Sequence, residues 1–149
     1  MKIDIFTEGN ISLPYLDITE KRIKKTVAAI CKKLKLKSAV ITIILCDNKY
    51  IKKINKDYRK KNEPTDVISF SYREIPFPAV KSGLEELGDI YISLEKASEN
   101  AEKYEAAFAD EITRLLIHGV LHLLGYDHER SDEDEKIMRA KEEEILANF

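Results

Sequence analysis

His118-Gly-Val-Leu-His122-Leu-Leu-Gly-Tyr-Asp-His128 contains all three histidines of the chain. The residues before it place apolar side chains at Phe108, Ile112, Leu115 and Leu116, the spacing of a helix packed on one face. That period runs on through Gly119, His122 and Leu123 with no proline to interrupt it, so the helix is expected to continue into the histidine stretch. His118 and His122 then stand at i and i+4 on one face, with Cβ atoms roughly 5–6 Å apart, and two imidazole nitrogens can converge on one ion. Gly125 is the residue type that ends helices in the left-handed conformation. The turn Tyr126-Asp127 would then bring His128 round to the same point. Three imidazoles on a divalent cation, with a fourth position left for water, is the layout of a catalytic zinc site rather than a closed structural one. A single helical histidine is more often a core or surface residue than a ligand. Here the helical pair, the glycine turn and the third histidine agree with one another.

The same spacing occurs in metalloproteases that extend His-Glu-x-x-His with a Gly-x-x-His turn, where the glutamate is the general base. In this chain the glutamate position is Gly119. The metal cage is present and the protease base is missing. A residue without a side chain there would let backbone and substrate approach closely beside the first ligand. Asp127 keeps three readings: a carboxylate orienting a ligand histidine, a proton acceptor, or an Asx turn.

The string His118-Gly-x-Leu-His122-Leu-x-Gly-Tyr-Asp-His128 resembles the signature of the YbeY family, bacterial metal-dependent endoribonucleases that act in ribosomal RNA maturation. Asn55-x-x-Tyr58-Arg59, Thr65-Asp66-Val67-Ile68-Ser69-Phe70 and Gly88-Asp89-Ile90 support it. The resemblance covers nearly the whole chain and departs at no metal-ligand position; Ile68 stands where leucine is commoner. It implies a single domain, 1–149, that is a single-strand-specific endoribonuclease of ribosomal RNA processing at the 3′ end of 16S RNA and of ribosome quality control. It also implies one Zn²⁺ per chain on His118, His122 and His128, and ribosomal RNA with a ribosomal subunit or its proteins as partners. Arg59 lies in the second block and is the catalytic candidate, because a planar guanidinium can hold two phosphate oxygens at once.

At 149 residues the chain has the size of one domain with a real core. Charges stand in the first residues where a secretory signal needs an apolar run, and no segment approaches the ~18 apolar residues of a membrane helix. Cys31 and Cys46 sit among apolar neighbours and read as reduced core residues. Together these imply a cytoplasmic protein with no membrane partner.

The remaining elements follow from local pattern. Residues 2–6 alternate as a strand. Asp17-Ile-Thr-Glu20 has capping-box spacing and opens a helix burying Ile23, Val27, Ile30, Cys31 and Leu34. Residues 39–46 are β-branched and nearly all apolar, as in a strand buried on both faces. Asp47 or Asn48 caps a helix to Arg59 with Ile51, Ile54 and Tyr58 inward. Residues 66–72 form a strand, with Val67 and Ser69 on one face and Ile68 and Phe70 on the other. Arg73–Leu87 is a long surface loop, and 89–93 is a short strand that can pair with 66–72 as a hairpin. Ser93 starts a helix through Tyr104. Ser131-Asp-Glu-Asp134 opens a last helix with Ile137, Met138, Ile145 and Leu146 as its apolar positions and an acidic, solvated surface over 131–144. The fold class is α+β, with about four strands in a small mixed sheet under about five helices. The crossover from 39–46 to 66–72 is expected to join parallel strands.

Charge is segregated. Residues 1–61 hold 16 Lys or Arg against 6 Asp or Glu, and the rest hold 9 against 21, for a net −2. Lys49, Lys52, Lys53, Lys56, Arg59, Lys60 and Lys61 form the densest basic run, read either as a solvated helix face or as the footprint of a phosphate-binding protein. Three functions fit the residues: a metal-dependent endoribonuclease with RNA and not DNA as substrate, a zinc metallopeptidase or other metallohydrolase, and a non-catalytic ribosome-associated RNA-binding factor with structural zinc.

Overall fold

Strand pairing places the last strand in sequence at the middle of the sheet. The computed structural model describes residues 1–74, 84–127 and 131–149. Its elements run β1 (Lys2–Thr7), α1 (Glu20–Lys33), β2 (Ala39–Cys46), α2 (Asn48–Arg59), β3 (Val67–Ser71), a 3-10 turn (Tyr72–Glu74), β4 (Glu85–Ser93), α3 (Leu94–Lys103), α4 (Phe108–Leu123) and α5 (Asp132–Leu146). The strand order is β1-β2-β4-β3. β1 and β4 both run parallel to β2, while β3 is antiparallel to β4 at the sheet's edge. The α+β class and the hairpin between 67–71 and β4 therefore stand. The expected parallel relation of β2 and β3 does not, because β4 inserts between them and takes the parallel partnership with β2.

Alternation along the strands sets the two faces. Ile41, Ile43 and Leu45 of β2 join Ile90 and Ile92 of β4 in the main core with Leu115, Leu116 and Val120 of α4 and Ile23, Val27 and Ile30 of α1. The opposite face carries a smaller cluster, Cys46, Ile51 and Ile68, with Tyr50, Ile54, Phe70 and Tyr91 packed against it. The helices therefore lie on both faces, and α2 covers one end of the second. β2 is accordingly buried on both faces only in its C-terminal half; Val40 and Thr42 remain half-buried.

Local chemistry explains most boundaries. Thr19, not Asp17, caps α1, its hydroxyl accepting from the Arg22 N–H at 3.2 Å. Asp17 cannot take that role because it sits in a left-handed turn at φ 66°. Asp47 caps α2 through Tyr50 N–H at 2.8 Å, Ser93 caps α3 and Ser131 caps α5, each such bond being worth about 0.5–2 kcal/mol. The loop expected over Arg73–Leu87 is shorter, since β4 already begins at Glu85 and Leu87 is fully buried; residues 75–83 lie outside the described residues. Leu87 is the extra residue of a register shift opposite Val40 and Ile41, which turns it into the core. On α5 only Met138 and Ile145 are buried, whereas Ile137 and Leu146 are exposed. Among the described residues no helix is long and apolar enough to cross a membrane.

Candidate active site

α4 runs without interruption from Phe108 to Leu123, so His118 and His122 occupy successive turns of one face. Gly125 follows at φ 103° and lets the chain turn away, as its residue type required. β3 is held beneath the end of this helix: the buried Ser71 hydroxyl donates to the Leu123 carbonyl at 2.8 Å, satisfying one of the carbonyls a helix end leaves open. Close packing deepens the contact. A Cβ on Gly119 would meet the Ile90 side chain at 2.8 Å, so only glycine lets α4 settle on β4 at this point. This corrects the expectation that Gly119 opens space for substrate: the missing side chain faces the sheet, on the buried side of the helix.

The cleft lies along the edge strand. It encloses about 330 Å³ and is lined by Arg59, Thr65, Asp66, Val67, Ile68, Ser69, Phe70, His118 and His122. Tertiary structure thus brings together three of the four residues singled out in the sequence. The fourth, His128, lies outside the described residues. Among the described residues no group of three His, Cys, Asp or Glu side chains could hold a metal ion.

The donors present suit a divalent ion. His118 Nδ1 is hydrogen-bonded to the Glu142 carboxylate of α5, and both side chains are about four-fifths buried. A carboxylate on Nδ1 fixes the ring orientation and tautomer, so that Nε2 is the nitrogen that could ligate a metal. Glu142 lies in the acidic stretch 131–144, for which the sequence predicts a solvated surface. A signal was there: Met138, Glu142 and Ile145 share one helical face, and its two apolar members are the buried ones. Asp127 instead lines a separate depression with Leu124, Gly125, Tyr126, Asp134 and Ile137.

A polar network supports the other wall. Asp66 at the start of β3 accepts from its neighbour Val67 N–H at 2.8 Å and from Asn100 Nδ2 at 3.1 Å. Asn100 also donates to Glu111, whose buried carboxylate takes two hydrogen bonds of 2.8 Å from Arg114. Hydrogen bonding to Glu111, opposed by burial and helped by the charges of Glu111, Asp66 and Glu142, pushes the Arg114 pKa up. A bidentate pair of this kind holds geometry as well as charge.

Arg59 reaches the cleft from the last turn of α2. Lys60 follows it in the left-handed conformation, and its N–H returns to the Asn55 carbonyl. Buried Asn55 also donates from Nδ2 to the Glu63 carbonyl at 2.9 Å, tying down the loop between Arg59 and Thr65. Asn55 rather than Tyr58 takes the inward position on this helix; Tyr58 is 66% exposed, against the expectation that it is buried. The lysines at 52, 53, 56, 60 and 61 are all exposed. Cys31 and Cys46 are free and buried, and burial pushes their thiols up to about 11 and about 12, as core residues.

Comparison with known proteins gives one consistent result. Residues 10–149 match the family model described as Endoribonuclease YbeY. The chain is 44% identical over 132 residues to an Endoribonuclease YbeY of Persephonella marina, covering 89% of this chain and 84% of the relative. It is 39% identical to the same-named protein of Oceanobacillus iheyensis, covering 100% and 97%. The solution structure of TM1509 from Thermotoga maritima is similar with a TM-score of 0.62 at 30% identity, over 97% of this chain and 86% of that one. With its histidine helix, its edge-strand cleft and these relatives, the chain belongs to the YbeY endoribonuclease family.

Proposed function

We propose that residues 1–149 act as one domain, a zinc-dependent, single-strand-specific endoribonuclease that processes ribosomal RNA at the 3′ end of the 16S molecule, in the cytoplasm and in contact with a ribosomal subunit. The observation that carries this reading is the placement of Arg59 on the same cleft as His118 and His122. His118, His122 and His128 would hold the ion, with Glu142 orienting the first of them. Zinc bound there supplies Lewis-acid polarisation of a phosphoryl oxygen and a more acidic water.

The chain's own residues divide the remaining work. The Arg59 guanidinium holds two non-bridging phosphate oxygens and shares the charge that builds up at the transition state. The lysines of α2 attract the flanking phosphates. Asp66, held by Val67 N–H and Asn100, keeps the start of β3 in place beneath the scissile group. Asn55 fixes the loop that carries the chain from Arg59 to Thr65.

A peptidase would need its glutamate at position 119, which faces Ile90 and the core. That weakens the peptidase reading. A structural metal in a non-catalytic RNA-binding factor makes a different prediction, binding without cleavage. Metal-loaded protein incubated side by side with single-stranded RNA, structured RNA and casein separates the three. Chelator-sensitive cleavage confined to single-stranded RNA is the expected result. Cleavage of casein, or RNA binding with no cleavage, overturns it.

A further inference from the structure

We propose that Tyr58 and Phe70 form a stacking platform for one unpaired base beside the phosphate that Arg59 would hold, an inference that rests on the endoribonuclease reading above. Tyr58 immediately precedes Arg59 on the last turn of α2 and is 66% exposed. Its ring meets Phe70 edge to face, with centroids 5.2 Å apart and planes at 69°. Phe70 itself lines the cleft with Arg59, His118 and His122.

The row does not end there. Phe70 meets Tyr91 at 5.8 Å and 89°, and Tyr91 stacks with Tyr50 at 6.5 Å and 20°. Four aromatic rings therefore run in a row from half-buried Tyr50 near the start of α2, through Tyr91 and the cleft-lining Phe70, to Tyr58 on its last turn, which is left in solvent. Anchoring the helix does not require Tyr58, because Ile51 and Asn55 supply its buried face. Phe70, packed between two other rings, holds the exposed ring in place, so little side-chain freedom remains to be lost when a base docks.

The surroundings select the occupant. Lys52, Lys53, Lys56, Lys60 and Lys61 are exposed on the same helix and the loop after it, which favours a polyanion over an apolar peptide. A helix that presents an exposed ring on one face and cations on the next can hold a single-stranded nucleic acid, the base on the ring and the backbone on the charges. In a duplex the base faces are already stacked on one another, so only an unpaired nucleotide can use the platform. Tyr58 would thereby contribute to the choice of single strands over duplexes.

Fluorescence anisotropy with one unstructured RNA and a duplex of the same sequence, at fixed salt, tests this without relying on cleavage. Tyr58→Ala is expected to weaken single-strand binding about ten- to a hundredfold, while Tyr58→Phe stays within about twofold and neither changes duplex binding. Lys53→Ala should weaken both RNAs alike. Single-strand binding by Tyr58→Ala at the wild-type level, or an equal loss for duplex and single strand, overturns the platform and leaves the nuclease reading standing. A wild-type protein that binds no RNA overturns both.

Discussion

Glu142 on α5 hydrogen-bonds Nδ1 of His118 on α4, 24 residues earlier in the chain. A histidine held this way presents Nε2 at a fixed angle and is a stronger ligand than a freely rotating one. Glu142→Ala should lower zinc affinity by about 10–100-fold, with a smaller loss for Glu142→Gln, which retains a weaker acceptor. Competition with a chromogenic chelator measures it. Unchanged affinity in both variants would mean that the carboxylate serves only the packing of α5.

Zinc content should be about one per chain, and replacing any one of His118, His122 and His128 by alanine should lower it by a large factor. His118 and His122 are brought to one cleft by α4; His128 enters through its place in the motif. Elemental analysis of the three variants decides the ligand set. Full occupancy in all of them would sink the site.

Arg59→Ala and Arg59→Lys should both lose about 10²–10³ in RNA cleavage rate, because a lysine cannot replace a two-pronged donor. Fold and metal content should be kept, since Arg59 is not part of the core. Lys52→Ala and Lys53→Ala should only weaken RNA binding and flatten its salt dependence slightly. Wild-type cleavage by Arg59→Ala would return the basic run to a solvated face.

Gly119→Ala should cost about 1–3 kcal/mol of stability, because its Cβ would be forced to 2.8 Å from the Ile90 side chain in a packed core. Gly119→Glu should be far worse, burying a carboxylate against the sheet, and should gain no peptidase activity. Thermal melts and a casein assay read both. A stable Gly119→Glu protein that cleaves casein would contradict the placement of this residue.

Much of the site was legible because its signals are local. The spacing of His118 and His122 is a helical period, and α4 carries it without a break. Capping by Ser93 and Ser131 likewise depends on a few consecutive residues. The resemblance pointed to Arg59 as the catalytic candidate.

Other features depend on partners distant in sequence. Local pattern shows that 67–71 can form a hairpin with the next strand but not that this strand also takes the edge of β2; β4 lies between β2 and β3 because it pairs on both edges. Tyr58 continues the apolar stripe of α2 in sequence, yet the second sheet face is filled by Ile51, Ile54, Phe70 and Tyr91, so the stripe ends one turn early and leaves the ring in solvent. Glu142 looks like one of a run of acids until α5 docks on α4 and sets it against His118.

The sequence by itself determined the helix that aligns His118 with His122, the glycine turn after it and the membership of the chain in its family, since each is written in consecutive residues. Tertiary structure alone decided that Arg59 shares their cleft, that Glu142 orients His118 and that Gly119 serves packing rather than substrate. Those relationships are made by contacts between elements far apart in the chain, and a hydrophobic period states which face of an element is buried but not what it is buried against.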